Sequence, residues 1–269
     1  MRIANLRSKP IHELRFLSAA KGGGTESQRL LFLSAQVDSL PDGLDALVLT
    51  GDLQGVVKSW RHGGRNVLLG IQVAEELVDL ADAGAIPDCA RTGVVLAGDF
   101  YAAPNADKRG ATGDVREVWK SFAATHPLVA GVAGNHDLFG GPIESERFRM
   151  DPTFDLLDAS IVSHGDLRIG GVGYVIGNPA KPGRREQSEF FAALEHVVAE
   201  SPDVLVMHEG PSGGEGQRGN ARVRAIIESS RVGLVVCGHV HWDTPLAMLG
   251  GETQVANVDC RVIILTLGA

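Results

Sequence analysis

Short apolar runs recur along the chain, each giving way to glycine or a polar turn: "LRFLSAA", "LDALVLTGD", "GVVLAGD", "LVAGVAGN", "DLRIGGVGYVIG", "DVLVMHEG", "VGLVVCGH" and "VDCRVIILTL". Runs this short and rich in Val, Leu and Ile predict buried strands. Helical spacing lies between several of them. In "NVLLGIQVAEELVDLADAG", Ile71, Ala74, Leu77, Val78 and Ala81 form one apolar stripe, with Gly84 as the predicted stop. "SEFFAALEHVVAE" repeats the pattern with Phe190, Leu194, Val197 and Val198. Thr25 followed by Gln28 has the form of a capping box, which predicts a helix through "SQRLLFLSAQVDSL" closed by Pro41-Asp42-Gly43.

Strands thus alternate with helices in much of the first 200 residues or so and dominate the end, an order that predicts an α/β layered fold with polar turns at the strand ends. No internal repeat is present. The glycine-rich "EGPSGGEGQRGN" and "GNPAKPGRRE" read as loops facing a site rather than as linkers. Residues 1–269 therefore read as a single domain, with a motif-bearing core at 45–269 and an N-terminal extension at 1–44. The extension is expected to add an edge strand and a helix, or else to close over the site and restrict substrate size.

Composition narrows the partners. A chain of 269 residues that is 44% hydrophobic can bury a substantial core. A net charge of -8 and a pI near 5.6 argue against a broad basic face. A small phosphorylated substrate, or nucleic acid as a local substrate, stays compatible with that charge. Cys89, Cys237 and Cys260 are odd in number and widely spaced, unlike a zinc ribbon or a disulfide framework. No run approaches the roughly 20 apolar residues of a membrane span. The expectation is a cytoplasmic protein with no membrane partner.

The candidate chemistry sits where strands should end. Asp52 follows "LVLTG", Asp99 follows "VVLAG", and Asn135, His136 and Asp137 follow "VAG"; His208 ends "VLVM", and His239 and His241 follow "VVCG". In layered α/β folds the crevice at the carboxyl ends of the strands binds ligands, so residues distant in sequence converge there. Carboxylates, an amide oxygen and imidazoles suit Mn, Fe or Zn, and the set exceeds what one tetrahedral zinc needs. His12, His62, His126, His164 and His196 have no ligand-like companions nearby, and Cys237 reads as a buried inert thiol. Arg218, ten residues after His208, is a candidate to bind a phosphate oxygen; Arg184 and Arg185 are weaker ones.

The ordered series "GDLQG", "GDFY", "GNHD", "VMHEGP" and "GHVH" resembles the calcineurin-like metallophosphoesterase superfamily across about residues 45 to 265. The usual signature there is Asp-x-His, Gly-Asp, Gly-Asn-His-Asp/Glu, a lone His and Gly-His-x-His. The resemblance implies a four-layer α/β/β/α sandwich, two mixed sheets flanked by helices. It also implies a dinuclear hydrolase with two divalent ions, manganese first, with iron and zinc as alternatives. Asp99 would bridge them, Asp52, Gln54 and His241 would complete the first site, and Asn135, His208 and His239 the second. A metal-bridging hydroxide would attack phosphorus, His136 would protonate or stabilise the leaving oxygen, and Asp137 would hold the His136 ring.

Gln54 departs from the pattern, since a histidine belongs in its place; an amide donates less to a transition metal, so the first site is expected to be weaker or to choose another ion. A competing register starts the pattern at "LRFLSAAKGG", putting Ala19 and Lys21 where Asp-x-His belongs and leaving Asp99 without a role. "HEGP", "QRGN" and "GHVH" together resemble the branch that cleaves phosphodiesters, which favours a phosphodiesterase. The alternatives are a phosphomonoesterase or protein phosphatase, for which Arg109 is a loose counterpart of a phosphatase arginine, and a non-catalytic binding protein with a degenerate first metal site.

Overall fold

The structure, a computed structural model, describes residues 1–268. Chain order gives β1 (Ile3–Leu6), β2 (His12–Ala19), β3 (Thr25–Val37), β4 (Ala46–Gly51), β5 (Val56–Ser59) and β6 (Arg65–Leu68) before helix α1 (Leu69–Asp82). Next come β7 (Thr92–Leu96), β8 (Gly113–Asp114), α2 (Arg116–Ala123), β9 (Leu128–Gly131), β10 (Asp137–Leu138), α3 (Pro142–Arg149) and β11 (Asp155–Leu156). The remainder holds β12 (Ser160–His164), β13 (Leu167–Val172), β14 (Val175–Ile176), β15 (Arg184–Arg185), α4 (Gln187–Ala199) and β16 (Val204–Glu209). It closes with α5 (Ala221–Glu228), β17 (Leu234–Gly238), β18 (Leu246–Leu249), β19 (Thr253–Asn257) and β20 (Arg261–Leu267).

One sheet has the order β11-β9-β7-β4-β20-β3-β2-β5-β6, with β1 paired to β3; the other runs β12-β13-β16-β17-β19-β18. Both mix parallel and antiparallel pairs. Alternate side chains of the central strands enter different cores, as the two-residue period of a strand requires. Leu47 and Leu49 of β4, Ile263 and Leu265 of β20, and Val204 and Val206 of β16 fill the space between the sheets. Val48 and Ile264 face outward onto Val73 and Leu77 of α1 and Trp119 of α2. On the far side, Leu205 and Met207 pack with Phe190 and Leu194 of α4 and Val223 of α5. Three cores between four layers give the α/β/β/α sandwich.

The helix expected after Thr25 is instead β3, a 13-residue strand. Leu30 and Phe32 enter the helix-side core while Leu33, Ala35 and Val37 enter the core between the sheets. A strand buried on both faces reads as a continuous apolar run, which periodicity alone does not separate from a helix. The distant β20, parallel to β3, and the hairpin partner β2 supply its hydrogen bonds. Residues 1–44 therefore contribute three strands and no helix. The predicted helix over 66–84 also starts later, because 66–68 pair in β6; it ends as expected at Gly84, where φ is +69°. Helices α2, α3 and α5 carry no expectation from the hydrophobic pattern.

Candidate active site

Strands β4, β7 and β9 are neighbouring and parallel, so Asp52, Asp99 and Asn135 leave the sheet at one end. Parallel β16 and β17 deliver His208 and His239 from the second sheet. The register beginning at "LRFLSAAKGG" does not fit this topology, since β2 is separated from β4 by β3 and β20. Asp52, Asp99 and His239 each have positive φ, 51°, 60° and 65°. Side chains other than glycine seldom adopt that region, and such strain gathers at functional sites.

Donor atoms of Asp99, His208 and His239 all lie within 4.8 Å of one another, and this is the one such group of His, Cys, Asp or Glu among the described residues. The buried His208 ring has Nδ1 2.8 Å from the Ala97 carbonyl oxygen, leaving Nε2 turned to Asp99 Oδ2 at 3.3 Å. A backbone carbonyl on one ring nitrogen is the usual way to aim the other at a metal. Neither His208 Nε2 nor the buried Asn135 Oδ1 has a hydrogen-bond partner. Buried polar atoms are almost always paired, so two orphaned ligand atoms beside a carboxylate fit a bound cation. Asn135 adjoins Asp99 through its neighbours: the His136 N–H donates to Asp99 Oδ1 at 2.8 Å, and Gly134 abuts the same carboxylate.

The residues of the expected first site are arranged differently. Asp52 Oδ2 accepts the His239 N–H at 2.9 Å, and Gln54 Nε2 donates to Asp99 Oδ2 at 2.7 Å. His241 is half-exposed and stands apart from the cluster, with Nδ1 3.0 Å from Asp259 Oδ1 and the Arg261 guanidinium 3.1 Å from Nε2. Asp259 and Arg261 are missing from the sequence expectations. Asp259 also lines the cleft with Asp52, Gln54 and Asp99. Its one signal is a carboxylate interrupting the apolar end of the chain, in "NVDCRV".

Asp137 does not hold the His136 ring. Its buried carboxylate accepts backbone N–H groups of Asp99, Phe100 and Gly134, each at 2.8 Å. Those three donors sit in tight turns with no strand partner, and buried donors must be satisfied. The His136 ring instead has Nδ1 3.3 Å from Thr112 Oγ1.

Burial is the largest influence on Asp52, Asp99, Asp137, His208 and His239, and neighbouring charges decide the direction for Asp99 and His208. Burial drives Asp52 well above the ordinary carboxylate range, with Asp259 and Asp99 adding to it and His208 opposing. Burial also acts to raise Asp99, but His208 and His136 outweigh it and hold it below its usual value. His208 is pushed up to about 10: burial acts to lower it, and the Asp99 and Asp52 charges win. His239 falls to about 4 through burial and the His208 charge. Asp137 rises to about 6 through burial and Asp99, against its backbone donors. The opposed shifts of Asp99 and His208 mark them as a buried charge pair at the centre of the cluster.

Two clefts meet at His239. One, about 400 Å³, is lined by Asp52, Gln54, Asp99, His136 and Asp259, with Lys21, Lys108 and Arg109 among its other walls. Lys21 and Phe16 belong to the β2–β3 hairpin and its turn, so the N-terminal extension walls this cleft. The other, about 600 Å³, is lined by Glu209, Arg218, Asn220, His241 and Trp242. Arg218 thus rims the site; Arg185 pairs with Asp158 beside the Tyr174 ring.

The family described as calcineurin-like phosphoesterase matches residues 46–243. No curated protein matches the chain. Among solved structures, TT1561 of Thermus thermophilus superposes with a TM-score of 0.53 at 16% identity, covering 80% of this chain and 91% of that one. The sulfate thiohydrolase SoxB of the same organism gives a TM-score of 0.43 at 12% identity, covering 85% of this chain and 57% of its own. A 5'-nucleotidase precursor, also from T. thermophilus, gives 0.40 at 16% identity, covering 83% and 48%.

Proposed function

The chain belongs to the calcineurin-like phosphoesterase family, and from that premise we propose that it is a metal-dependent hydrolase that prefers phosphodiesters to phosphomonoesters. The observation that carries the preference is the meeting of two clefts at His239, about 400 and 600 Å³. A diester bears an organic group on each side of phosphorus and needs room for both, whereas a monoester needs room for one. A divalent ion held by Asp99, Asn135, His208 and His239 would polarise the phosphoryl oxygens and supply nucleophilic water at neutral pH. Manganese suits this mixed oxygen and nitrogen set, with iron and zinc as the next ions to supply.

The chain's own groups do the rest. His136 lines the first cleft beside Asp99, placed to protonate the departing ester oxygen. Lys21, Lys108 and Arg109 line the same cleft and make no ion pair or side-chain hydrogen bond among the described residues, so their charge is free to attract the phosphate. Arg218 rims the second cleft and would face the other ester group.

The test is hydrolysis of bis-p-nitrophenyl phosphate and p-nitrophenyl phosphate by chelator-stripped protein re-supplied with manganese, beside Asp99→Ala. Metal-restored activity, greater on the diester and absent in Asp99→Ala, is the expected result. Greater activity on the monoester would overturn the diester preference, and silence on both would favour a binding protein.

A further inference from the structure

We infer that this chain binds one metal ion rather than two, and that protein side chains occupy the place where the family resemblance implies the first. The inference rests on the metal-dependent reading of the site, but not on which ester is cleaved.

The two halves of the expected ligand set differ in kind. In the second half Asn135 Oδ1 and His208 Nε2 are buried without a hydrogen-bond partner, and His208 and His239 converge on Asp99, with His208 Nε2 3.3 Å from Asp99 Oδ2. In the first half Gln54, Asp99 Oδ2, His241 and one oxygen of Asp52 are engaged. Asp99, which the resemblance makes common to both sites, accepts the Gln54 amide on Oδ2 at 2.7 Å. An amide that donates to the carboxylate turns its nitrogen, not its oxygen, toward the place of the ion. Asp52 Oδ2 is taken by the His239 N–H.

His241 is withheld as well. Arg261 is only 7% exposed and its guanidinium lies 3.1 Å from His241 Nε2 and 3.4 Å from Nδ1, while the same nitrogen donates to the Trp242 carbonyl at 2.8 Å. A guanidinium stays charged under all ordinary conditions, so a fixed cation stands against the lone pair that a first ion needs. Asp259, the carboxylate on the other side of His241, gives that ring a partner of its own. The substitution of Gln54 for histidine is therefore not an isolated loss. The amide satisfies the bridging carboxylate, and Arg261 and Asp259 hold the second histidine of "GHVH" away from it.

Elemental analysis of chelator-stripped protein dialysed against manganese, with EPR of the bound Mn(II), tests this directly. The expected result is one manganese per chain with the spectrum of an isolated ion, lost in His208→Ala or Asn135→Ala and retained in His241→Ala. The double variant Gln54→His with Arg261→Ala is expected to take up a second ion and to show an exchange-coupled spectrum. Two ions in the wild-type chain with a coupled spectrum would overturn the inference while leaving the proposed hydrolase intact. Loss of the ion in His241→Ala but not in His208→Ala would also overturn it. No bound ion at all would remove the metal-dependent reading and this inference together.

Discussion

Replacing Gly134 with alanine should disable metal binding without touching a ligand. A Cβ at that position would lie 2.6 Å from Asp99 Cγ, and closer still to its Oδ1. Carbon atoms in contact rest about 3.5–4.0 Å apart, so one group must retreat by about 1 Å. The Gly134 backbone has little freedom to move: Gly98 packs behind it so closely that a Cβ there would meet the Gly134 Cα at 2.7 Å, and its N–H is held by Asp137. The same Cβ would also press on the Asp99 backbone nitrogen, so Asp99 is displaced as a whole and its carboxylate with it. Metal–ligand distances tolerate about 0.2 Å, so a shift of that size breaks the bond. Disturbing a group that merely supports a ligand costs about 10–100-fold in affinity, and displacing the ligand itself should cost at least about 100-fold, roughly 2.7 kcal/mol. Calorimetric titration of manganese into chelator-stripped protein measures it. Gly22→Ala is the control, because a Cβ at Gly22 meets nothing within 4 Å. A folded Gly134→Ala protein whose manganese affinity stays within about threefold of wild type would refute the reasoning, since it would mean that Asp99 is not a ligand or that the turn yields freely.

Three further outcomes are expected. His136→Gln should lower kcat by about 10²–10⁴-fold with bound manganese unchanged, as loss of a proton donor requires, and an unchanged kcat would remove His136 from the chemistry. Lys21→Ala, in the hairpin turn that walls the first cleft, should raise KM several-fold on an anionic ester with kcat nearly constant; equal KM values would show that the turn plays no part in binding. His126 is buried, with one ring nitrogen near the Phe122 carbonyl and the other unpaired, and burial lowers its pKa below 6.5. The unfolded chain then takes up a proton first as pH falls, so stability is retained above about pH 6.5 and declines below it, by at most about 1.4 kcal/mol per pH unit from this group. His126→Gln should flatten that part of the stability profile in urea unfolding at about pH 7.5 and about pH 5.5, either side of the ordinary histidine value; parallel profiles would sink the assignment.

The strand-end chemistry is legible in the chain's local patterns. Apolar runs ending in Gly-Asp, Gly-Asn-His-Asp and Gly-His-x-His are local patterns, and the ends of adjacent parallel strands bring Asp52, Asp99, Asn135, His208 and His239 to one side of the sandwich. The same holds for α1 and α4, whose helical stripes are carried within their own residues. Features that depend on distant partners emerge only when the chain is folded. A buried apolar run after Thr25 became β3 because β20, far along the chain at Arg261–Leu267, pairs with it. Asp137 turned to three backbone donors rather than to the adjacent ring, since the crowding that leaves those donors unpaired exists only in the fold. The first-site histidine met Asp259 and Arg261 for the same reason: they lie in and after the turn joining β19 to β20, and no spacing rule connects them to Gln54. Periodicity reports which face of an element is buried, and a binding site depends on which faces meet.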